Sequence, residues 1–531
     1  MKPPMEWHPR HPAFQALLAA LLREVQPVYV VGGVVRDLLL QRHDHLKDLD
    51  LVLDQPVLPL ARRVADRLGW AFYPLDEARD VARLVFTAAQ GEPLICDIAR
   101  MRGEHIEEDL RSRDFTINAM ALAITQPASG GMQMELLDPC GGQADLRRGI
   151  LRRVSPYCLA EDAVRLVRAV RFMAQFAFTL DLETRVQIQR LAGTVRLASP
   201  ERIRDELWKA FTFDRPATTV ADLASLGLLR HVLPEVAATQ GVEQSYPHYQ
   251  DVYAHTLATL THMAHLRAWI AGTAELPAGG AWPLLVETLA PWRFHLRQHF
   301  AHHPSTGRSR RDWLIWYALF HDVGKPATRT VEELPAAAPD DATPNPRSRS
   351  RRYRFLGHDK VSASMVEERL TWLRFSRPEI TLAQKVVAHH MRPHLLHASF
   401  ARRPISRRAR YRFFRDTGNR LGEGEVGVDI LMLALADYLA TYAQDPPPDW
   451  DAYLRHVAEL LDFAFGEDGL AALMQRPLVD GHTLMLHLNL PAGPQIGRLL
   501  EKIQEARAAG EVSTPEEALR FAEQCLHHKG A

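Results

Sequence analysis

Between residues 28 and 100 the apolar positions come as short, largely β-branched runs, Val28–Val31, Leu49–Leu53, Leu84–Thr87 and Leu94–Ile98, interrupted by the helically spaced stretch Leu58–Leu68. Short runs of this kind predict strands, and a recurrence at three and four residues predicts an amphipathic helix. The expectation for residues 28 to 150 is an α+β domain with a small mixed sheet and helices. From about Ala160 the strand signal nearly vanishes and helical spacing continues to the end, which predicts an all-α remainder. Two stretches break that pattern. Leu334–Ser350, rich in Pro, Ala, Asp and Ser, predicts a disordered insertion, and Asp445–Asp449, with three consecutive prolines, predicts a domain boundary.

Length adds that 531 residues exceed one core and call for about three or four folding units. Hydrophobic residues at 47% and charged ones at 24% are ordinary for a globular chain and exclude wholesale disorder. No apolar run approaches the roughly 20 residues of a membrane span, and Met1–Pro12 carries Pro and His where a signal peptide would be apolar. The expected address is the cytoplasm, and four scattered cysteines without ligand spacing suit a reducing compartment. Net charge is zero, yet Arg347–Arg354 and Arg402–Arg415 are dense basic runs. Each reads equally as a polyanion contact or as a solvated face.

The first chemical signal is Val28–Val31 running into Gly32-Gly33 and then Val34–Leu39, a strand, tight turn and helix. Glycines allow close backbone approach, the helix start carries positive partial charge, and Arg36 adds a fork donor, so a triphosphate is the natural ligand. Fifteen residues past Gly33, in Asp48-Leu49-Asp50, strand period places both carboxylates on one face. Like charges so close call for cations. Two magnesium ions about 3.5–4 Å apart would activate an attacking hydroxyl and neutralise a leaving pyrophosphate. A third carboxylate is offered by Asp97, inside the apolar run Leu94–Ile98, where a buried acid must be paired or metal-bound.

Gly32–Asp37, Asp48–Asp50 and Arg113-Asp114-Phe115-Thr116-Ile117-Asn118-Ala119 together resemble class II tRNA nucleotidyltransferases and bacterial poly(A) polymerases. The resemblance implies that Arg113 and Asp114 contact the nucleotide and favour ribose, consistent with a carboxylate accepting from sugar hydroxyls. Ser112 departs from the pattern, standing where many relatives carry a further arginine. The following segment Glu161–Phe172 also matches, as the part that reads the incoming base. Asp162 and Arg165, expected one helical turn apart, would present an acceptor beside donors to the amino and ring-nitrogen edge of cytosine or adenine, which uracil and guanine lack. Arg168 and Arg171 are assigned to nucleotide or phosphate binding.

A second constellation begins where the apolar helical stretch Trp313–Phe320 ends in His321-Asp322-Val323-Gly324-Lys325. Elsewhere stand His255, His358, the pair His389-His390, and Asp437 inside the apolar run Ile430–Leu439. One such residue on an apolar helix is usually hydrogen-bonded core; several helices each bringing one suggest a metal centre. Together they resemble the HD phosphohydrolase superfamily, which implies His255, His321, Asp322 and Asp437 as ligands, with His358 and His390 added in two-metal members; His389 rivals its neighbour. Imidazole and carboxylate without thiolate suit Mn, Fe, Ni or Mg. The implied chemistry is hydrolysis of phosphomonoesters or 2′,3′-cyclic phosphates. Leu478–His482, Pro491–Gly497 and Thr514–Ala518 resemble the C-terminal helical module of HD-bearing members.

These readings divide the chain into a helical lead-in (1–27), a nucleotidyltransferase head (28–150), a helical neck (151–240), an HD domain (241–445) and a helical tail (446–531). The implied activity is template-independent addition of C, A or both from CTP and ATP to the tRNA 3′ end, with magnesium in the head. One alternative is a poly(A) polymerase, which shares the head motifs but carries tyrosines after the Asn-Ala or Asn-Ser step, where this chain has Met120-Ala121-Leu122. Others are an HD hydrolase whose head only senses nucleotides, against which both Asp48 and Asp50 argue, and a helical scaffold without metal.

Overall fold

A computed structural model describes residues 11–42, 47–87, 93–126, 131–305, 307–333, 351–418, 426–466 and 477–527, together with Trp7, Pro9 and Gly469. The expected insertion at 334–350 lies outside the described residues, as does the start of the basic run at 347. The chain forms two compact units, one reaching Ser199 and including 226–228, the other made of 200–225 and everything from Leu229 onward. Helices after Ser199 that the sequence groups with the neck therefore pack in the second unit.

The first unit opens with helix α1 (Pro12–Leu22) and is built on a seven-stranded sheet in the order β3-β4-β5-β2-β1-β6-β7. The strands are β1 (Val28–Val31), β2 (Asp48–Leu53), β3 (Ala71–Asp76), β4 (Val81–Phe86), β5 (Leu94–Arg100), β6 (Ala121–Thr125) and β7 (Gln133–Leu137). Only β2 and β5 pair in parallel, so the sheet is mixed as expected. Helix α2 (Gly33–Leu39) follows β1 at once, and α3 (Val57–Leu68) covers the sheet with Val57, Leu60, Ala61, Val64 and Ala65 buried. Asp80 starts α3 by accepting the amides of Val57 and Leu58, both at 2.8 Å, and Gly69 ends it in the left-handed conformation. Beyond the sheet come α4 (Ile106–Arg111), α5 (Gly142–Arg148), α6 (Cys158–Glu161), α7 (Val164–Phe176) and α8 (Leu182–Leu191).

Among the described residues the second unit is helical apart from one antiparallel strand pair, Thr330–Glu333 with Arg351–Arg354. Its centre is the helix Val426–Thr441, in which every residue from Val426 to Ala440 is buried. That explains why this run shows no polar stripe: a helix enclosed on all sides needs none. Around it pack Val252–Ala271, Arg310–Phe320 and Arg377–His389. Side-chain caps mark several starts, Asp251 accepting from the Ala254 amide at 2.7 Å and Ser376 forming a reciprocal box with Glu379. An aromatic cluster of Trp208, Trp313, Trp316 and Phe375, with ring centroids 5.1–6.0 Å apart, joins the helix Pro200–Thr212 to this bundle.

The basic run Arg402–Arg415 is spent largely inside the unit. Arg408, Arg412 and Arg415 converge on Glu505, Arg408 also meets Glu511 at 2.5 Å, and Arg410 meets Glu459 at 3.2 Å. Part of the run thus fastens the helix Arg407–Asp416 to the helix Pro494–Ala509 by ion pairs, while Arg402, Arg403, Arg407 and Arg412 are exposed. Pro446–Pro448 do separate two helices, Val426–Thr441 and Trp450–Phe465, but both belong to the same compact unit.

Candidate active sites

In the first unit the glycine turn and the paired acids meet. Gly32 has φ +71°, a conformation that L side chains rarely adopt, and a Cβ there would lie 3.4 Å from Arg113 and 3.5 Å from Asp50 Oδ2. The turn thus leaves bare backbone beside one carboxylate and one guanidinium. On β2, Asp48 and Asp50 are exposed while Leu49 and Leu51 are buried, so both carboxylates share the open face. Partial desolvation and then the charge of Asp97 raise the Asp50 carboxyl above its usual range, with Asp48 adding to the effect and Arg113 opposing it. A carboxylate cluster short of positive charge is what a divalent cation would relieve, so these residues fit magnesium.

Asp97 lies opposite Asp50 in the parallel β2–β5 register, but its two oxygens accept from Arg83 Nε and a terminal Arg83 nitrogen at 2.8 Å each. The expected third carboxylate is therefore held in a bidentate ion pair. Arg36 is likewise engaged: it donates to Asp37 at 2.9 and 3.0 Å and to Asn118 Oδ1 at 2.7 Å, and it lies 4.7 Å from the Phe176 ring centroid. Its guanidinium still comes within 3.3 Å of where a Cβ on Gly33 would sit, so it braces the turn from beside it.

Arg113 gives Asp109 two hydrogen bonds, at 3.1 and 2.9 Å, which aim its remaining nitrogen at Gly32. Asp114 is buried, accepts from the Phe115 amide and Asn118 Nδ2, and pairs with Arg168 Nε at 2.7 Å. Asn118 consequently links Arg36 to Asp114, a role that its place in the motif gave no sign of. Arg171 donates to Gln175 at 2.8 Å and lies 4.0 Å from the Phe172 ring centroid, with Arg168 at 5.5 Å from the same ring.

The expected pairing of Asp162 and Arg165 along one helix needs correction. Helix α7 begins at Val164; Asp162 precedes it in extended backbone, its carboxylate accepting the Val164 amide at 3.3 Å. Aspartate competes for nearby backbone donors and so favours helix starts over interiors. Arg165, inside α7, holds the carbonyls of Cys158 at 2.8 Å and Ser112 at 3.2 Å.

The second unit gathers all six expected residues. His255, His321 and Asp437 form one buried triad and Asp322, His358 and His390 another, each with its ligand atoms within 4.8 Å of one another. Asp322 spans the two: Oδ2 lies 3.2 Å from His321 Nε2, and Oδ1 lies 3.3 Å from His358 Nε2. His390, not its rival His389, supplies the last imidazole, 3.2 Å from His358.

The orientation of the rings is informative. Nδ1 of His321, His358 and His390 lies 2.7–2.9 Å from the carbonyl three residues earlier, and Nδ1 of His255 lies 3.4 Å from the Ala440 carbonyl. An Nδ1–H donating to a carbonyl leaves Nε2 with a bare lone pair. All four Nε2 atoms then face inward, His255 against His321 at 3.3 Å and His358 against His390 at 3.2 Å. Two lone pairs at that separation repel, and a cation between them turns the arrangement into ligation. The donor set fits two divalent ions.

Burial alone would raise Asp322, yet the charged form of His321, itself raised against burial by Asp322 and Asp437, and Lys325, whose Nζ lies 2.6 Å away, hold it well below the usual carboxylate range; a cation between the rings would take the place of the His321 proton. Burial and the neighbouring His321 and His358 push the His390 imidazole down to about 3, so it stays neutral and ready to ligate. Gly324 makes the close packing feasible: a Cβ there would fall 2.5 Å from the His358 carbonyl oxygen and 2.6 Å from the Ser362 amide. Lys325 is steadied by Gln244 at 2.7 Å, and His394 and Tyr453 stand behind Asp437. A role for His394 is suggested in sequence only by its place one helical turn beyond His390.

Known proteins match along nearly the whole chain. Residues 28–152 match the poly A polymerase head domain, 177–239 a probable RNA- and SrmB-binding site of polymerase A, and 252–442 the HD domain. An A-adding tRNA nucleotidyltransferase of Deinococcus radiodurans is 32% identical, covering 93% of this chain and 94% of its own. A CC-adding tRNA nucleotidyltransferase of Thermus thermophilus is also 32% identical, over 93% and 92%. Among solved structures, a CCA-adding enzyme complexed with ATP shares the fold with a TM-score of 0.59 at 20% identity, covering 97% of this chain and 94% of that one.

Proposed function

The chain belongs to the tRNA nucleotidyltransferase family, and from that premise we propose that it adds C, A or both to the tRNA 3′ end from CTP and ATP, without a nucleic-acid template. The observation that carries the reading is the meeting of Asp50, Arg113 and the bare Gly32 turn at one place on the sheet. Gly32 lets a triphosphate approach the backbone, and Arg113, fixed by Asp109, supplies a donor to it. Asp48 and Asp50 would hold magnesium, which supplies the Lewis acidity for attack of a 3′-hydroxyl on the α-phosphorus and for departure of pyrophosphate. Asp114, kept in place by Arg168 and Asn118, faces the ribose, and Asp162 with Arg165 reads the base edge. The reading implies a cytoplasmic enzyme, and no described helix is long and apolar enough to cross a membrane.

The second unit is proposed as a phosphohydrolase acting on phosphomonoesters or 2′,3′-cyclic phosphates. Its six inward-facing side chains would hold Mn, Fe, Ni or Mg, which supply the Lewis acidity for hydrolysing a phosphoester. Lys325 keeps Asp322 ionised and adds positive charge beside the phosphoryl group.

The deciding experiment incubates the full chain with three tRNAs, ending before the first C, before the second C and before the final A, with CTP and ATP supplied separately. Extension of at least one is expected; extension of none, with magnesium present, would overturn the reading.

A further inference from the structure

His394 is on the helix Arg392–Phe400, and its Nε2 lies 3.0 Å from Asp437 Oδ2. The other oxygen of that carboxylate, Oδ1, faces His255 Nε2 at 3.0 Å and His321 Nε2 at 3.8 Å. Asp437 thus has one oxygen turned to the metal triad and one turned away from it, to His394. Behind His394, the Tyr453 hydroxyl lies 3.2 Å from Nδ1. A carboxylate oxygen only accepts, so the ring proton facing Asp437 sits on Nε2, and the Tyr453 hydroxyl, which also lies 3.4 Å from the Ala434 carbonyl, stands within donor reach of Nδ1.

The ring has little freedom to leave this position. It stacks on Tyr453 at 5.6 Å and 20°, and on Tyr438 at 6.0 Å and 12°. Those two tyrosines stack on each other at 4.0 Å, and Tyr438 is tied by its hydroxyl to the Pro448 carbonyl at 2.9 Å.

We propose that His394, backed by Tyr453, is a positioning residue for the second unit's metal centre: it occupies Asp437 Oδ2 and so presents Oδ1 to the cation shared with His255 and His321. The inference rests on reading the six-residue cluster as a divalent-cation site. Outer-shell partners of this kind typically carry about 10–100-fold in metal affinity. The position formed by Asp322, His358 and His390 has no contact with His394 among those described and should not feel its loss.

The test titrates the metal-free full chain with Mn²⁺ against a competing chelator, counts bound manganese by elemental analysis, and follows thermal unfolding of the metal-free form. Wild type is expected to bind two ions in the second unit, counted in an Asp48→Ala/Asp50→Ala background that removes head binding. His394→Ala should weaken one of them about 10–100-fold and leave the affinity of the other unchanged, while the lost ring packing lowers the metal-free melting temperature. His394→Gln, whose amide N–H can still reach Asp437, should recover much of the loss, and Tyr453→Phe should show a smaller one. Unchanged affinity at both positions in His394→Ala overturns this inference alone. Equal weakening of both positions also overturns it, because His394 would then act through packing alone. A wild type that takes up no manganese in this background sinks the metal-centre reading and the inference with it.

Discussion

His358 and His390 point their Nε2 atoms at each other across 3.2 Å, while each turns Nδ1 to a carbonyl in its own preceding turn. Such a pair is repulsive when empty and favourable around a cation. Metal should therefore stabilise the second unit: at a free concentration one hundred times Kd, mass action gives about 2.7 kcal/mol per site. The expected outcome is a higher melting temperature with Mn²⁺ than after chelation. Asp322→Ala should abolish that difference, because one carboxylate serves both triads. An unchanged difference in the variant would count against the bridging role.

Asp48→Ala and Asp50→Ala should each abolish nucleotide addition. Losing a single neutral donor to a developing charge already costs roughly 10²–10³ in rate, and a carboxylate that holds the metal should cost more. Any phosphohydrolase activity, and the melting response to manganese, should persist, since Asp322, His358 and their partners lie in the other compact unit. Loss of both activities in either variant would show that the units do not work separately.

Much of this was legible because strong periodicity and dense motifs coincide. Val28–Val31 and Gly33–Leu39 form as the pattern indicates, and the scattered metal-centre residues converge because His255, His321 and His390 line or end helices packed on Val426–Thr441, which carries Asp437, while His358 begins the helix packed on Arg377–His389. The edge strand β3 was not legible: Ala71–Asp76 carries Pro74 and an exposed face, which blunts a sheet edge and erases the alternation that betrays a strand. Asp162 was misplaced because helical spacing was extended past the residue whose side chain starts the helix. Arg36 and Asp97 carry charges that suggest ligand contact, and only the fold reveals Asn118 and Arg83 as their partners.

Asp162 lies just before α7, its carboxylate accepting the Val164 amide, and is proposed to read the base, and the two roles can be separated. Asp162→Ala loses both, so it should relax rejection of UTP and GTP while lowering stability by about 0.5–1.5 kcal/mol, the typical net worth of one hydrogen bond. Asp162→Asn keeps an oxygen for the Val164 amide and replaces a carboxylate by an amide toward the base. It should change nucleotide selection with little change in melting temperature. Selection that stays intact in both variants would leave Asp162 an acceptor for the Val164 amide and nothing more.

The stability of the second unit should rise with pH through the histidine range. Burial lowers His299, despite Asp429 at 2.8 Å, and burial pushes His262 down to about 4. A histidine depressed in the folded state binds fewer protons there than in the unfolded chain. Stability is then lost as pH falls below the unfolded value of about 6.5 and regained above it. Asp429 works in the same sense at lower pH: burial would raise it, Arg310 and His299 hold it down, and its contribution disappears only in acid. Melting temperatures between about pH 5 and pH 7.5 should therefore climb, and His299→Gln should reduce the slope. A slope unchanged by His299→Gln would refute the neutral, buried state of that ring.

Gly324 offers a test in which backbone packing, and no ligand atom, is changed. The Gly324 amide donates to Ser362 Oγ at 2.8 Å, so the turn after Asp322 is pressed against the first turns of His358–Trp372. Its φ of −80° suits any residue, which means that the glycine is required by space and not by conformation. Gly324→Ala would set a methyl 2.5 Å from the His358 carbonyl oxygen, against rigid backbone that cannot give way. The helix start must move, and His358 moves with it, away from Asp322 Oδ1 and His390. Overpacking of this kind costs about 1–3 kcal/mol. The expected result is a lower melting temperature together with weaker binding of one manganese ion, while the position of His255, His321 and Asp437 keeps its affinity. Ser362→Ala separates the two effects, removing the hydrogen bond without the clash, and should leave both ions bound. Equal weakening at both positions in Gly324→Ala would mean that the close approach shapes the whole bundle and not the His358 side of the centre.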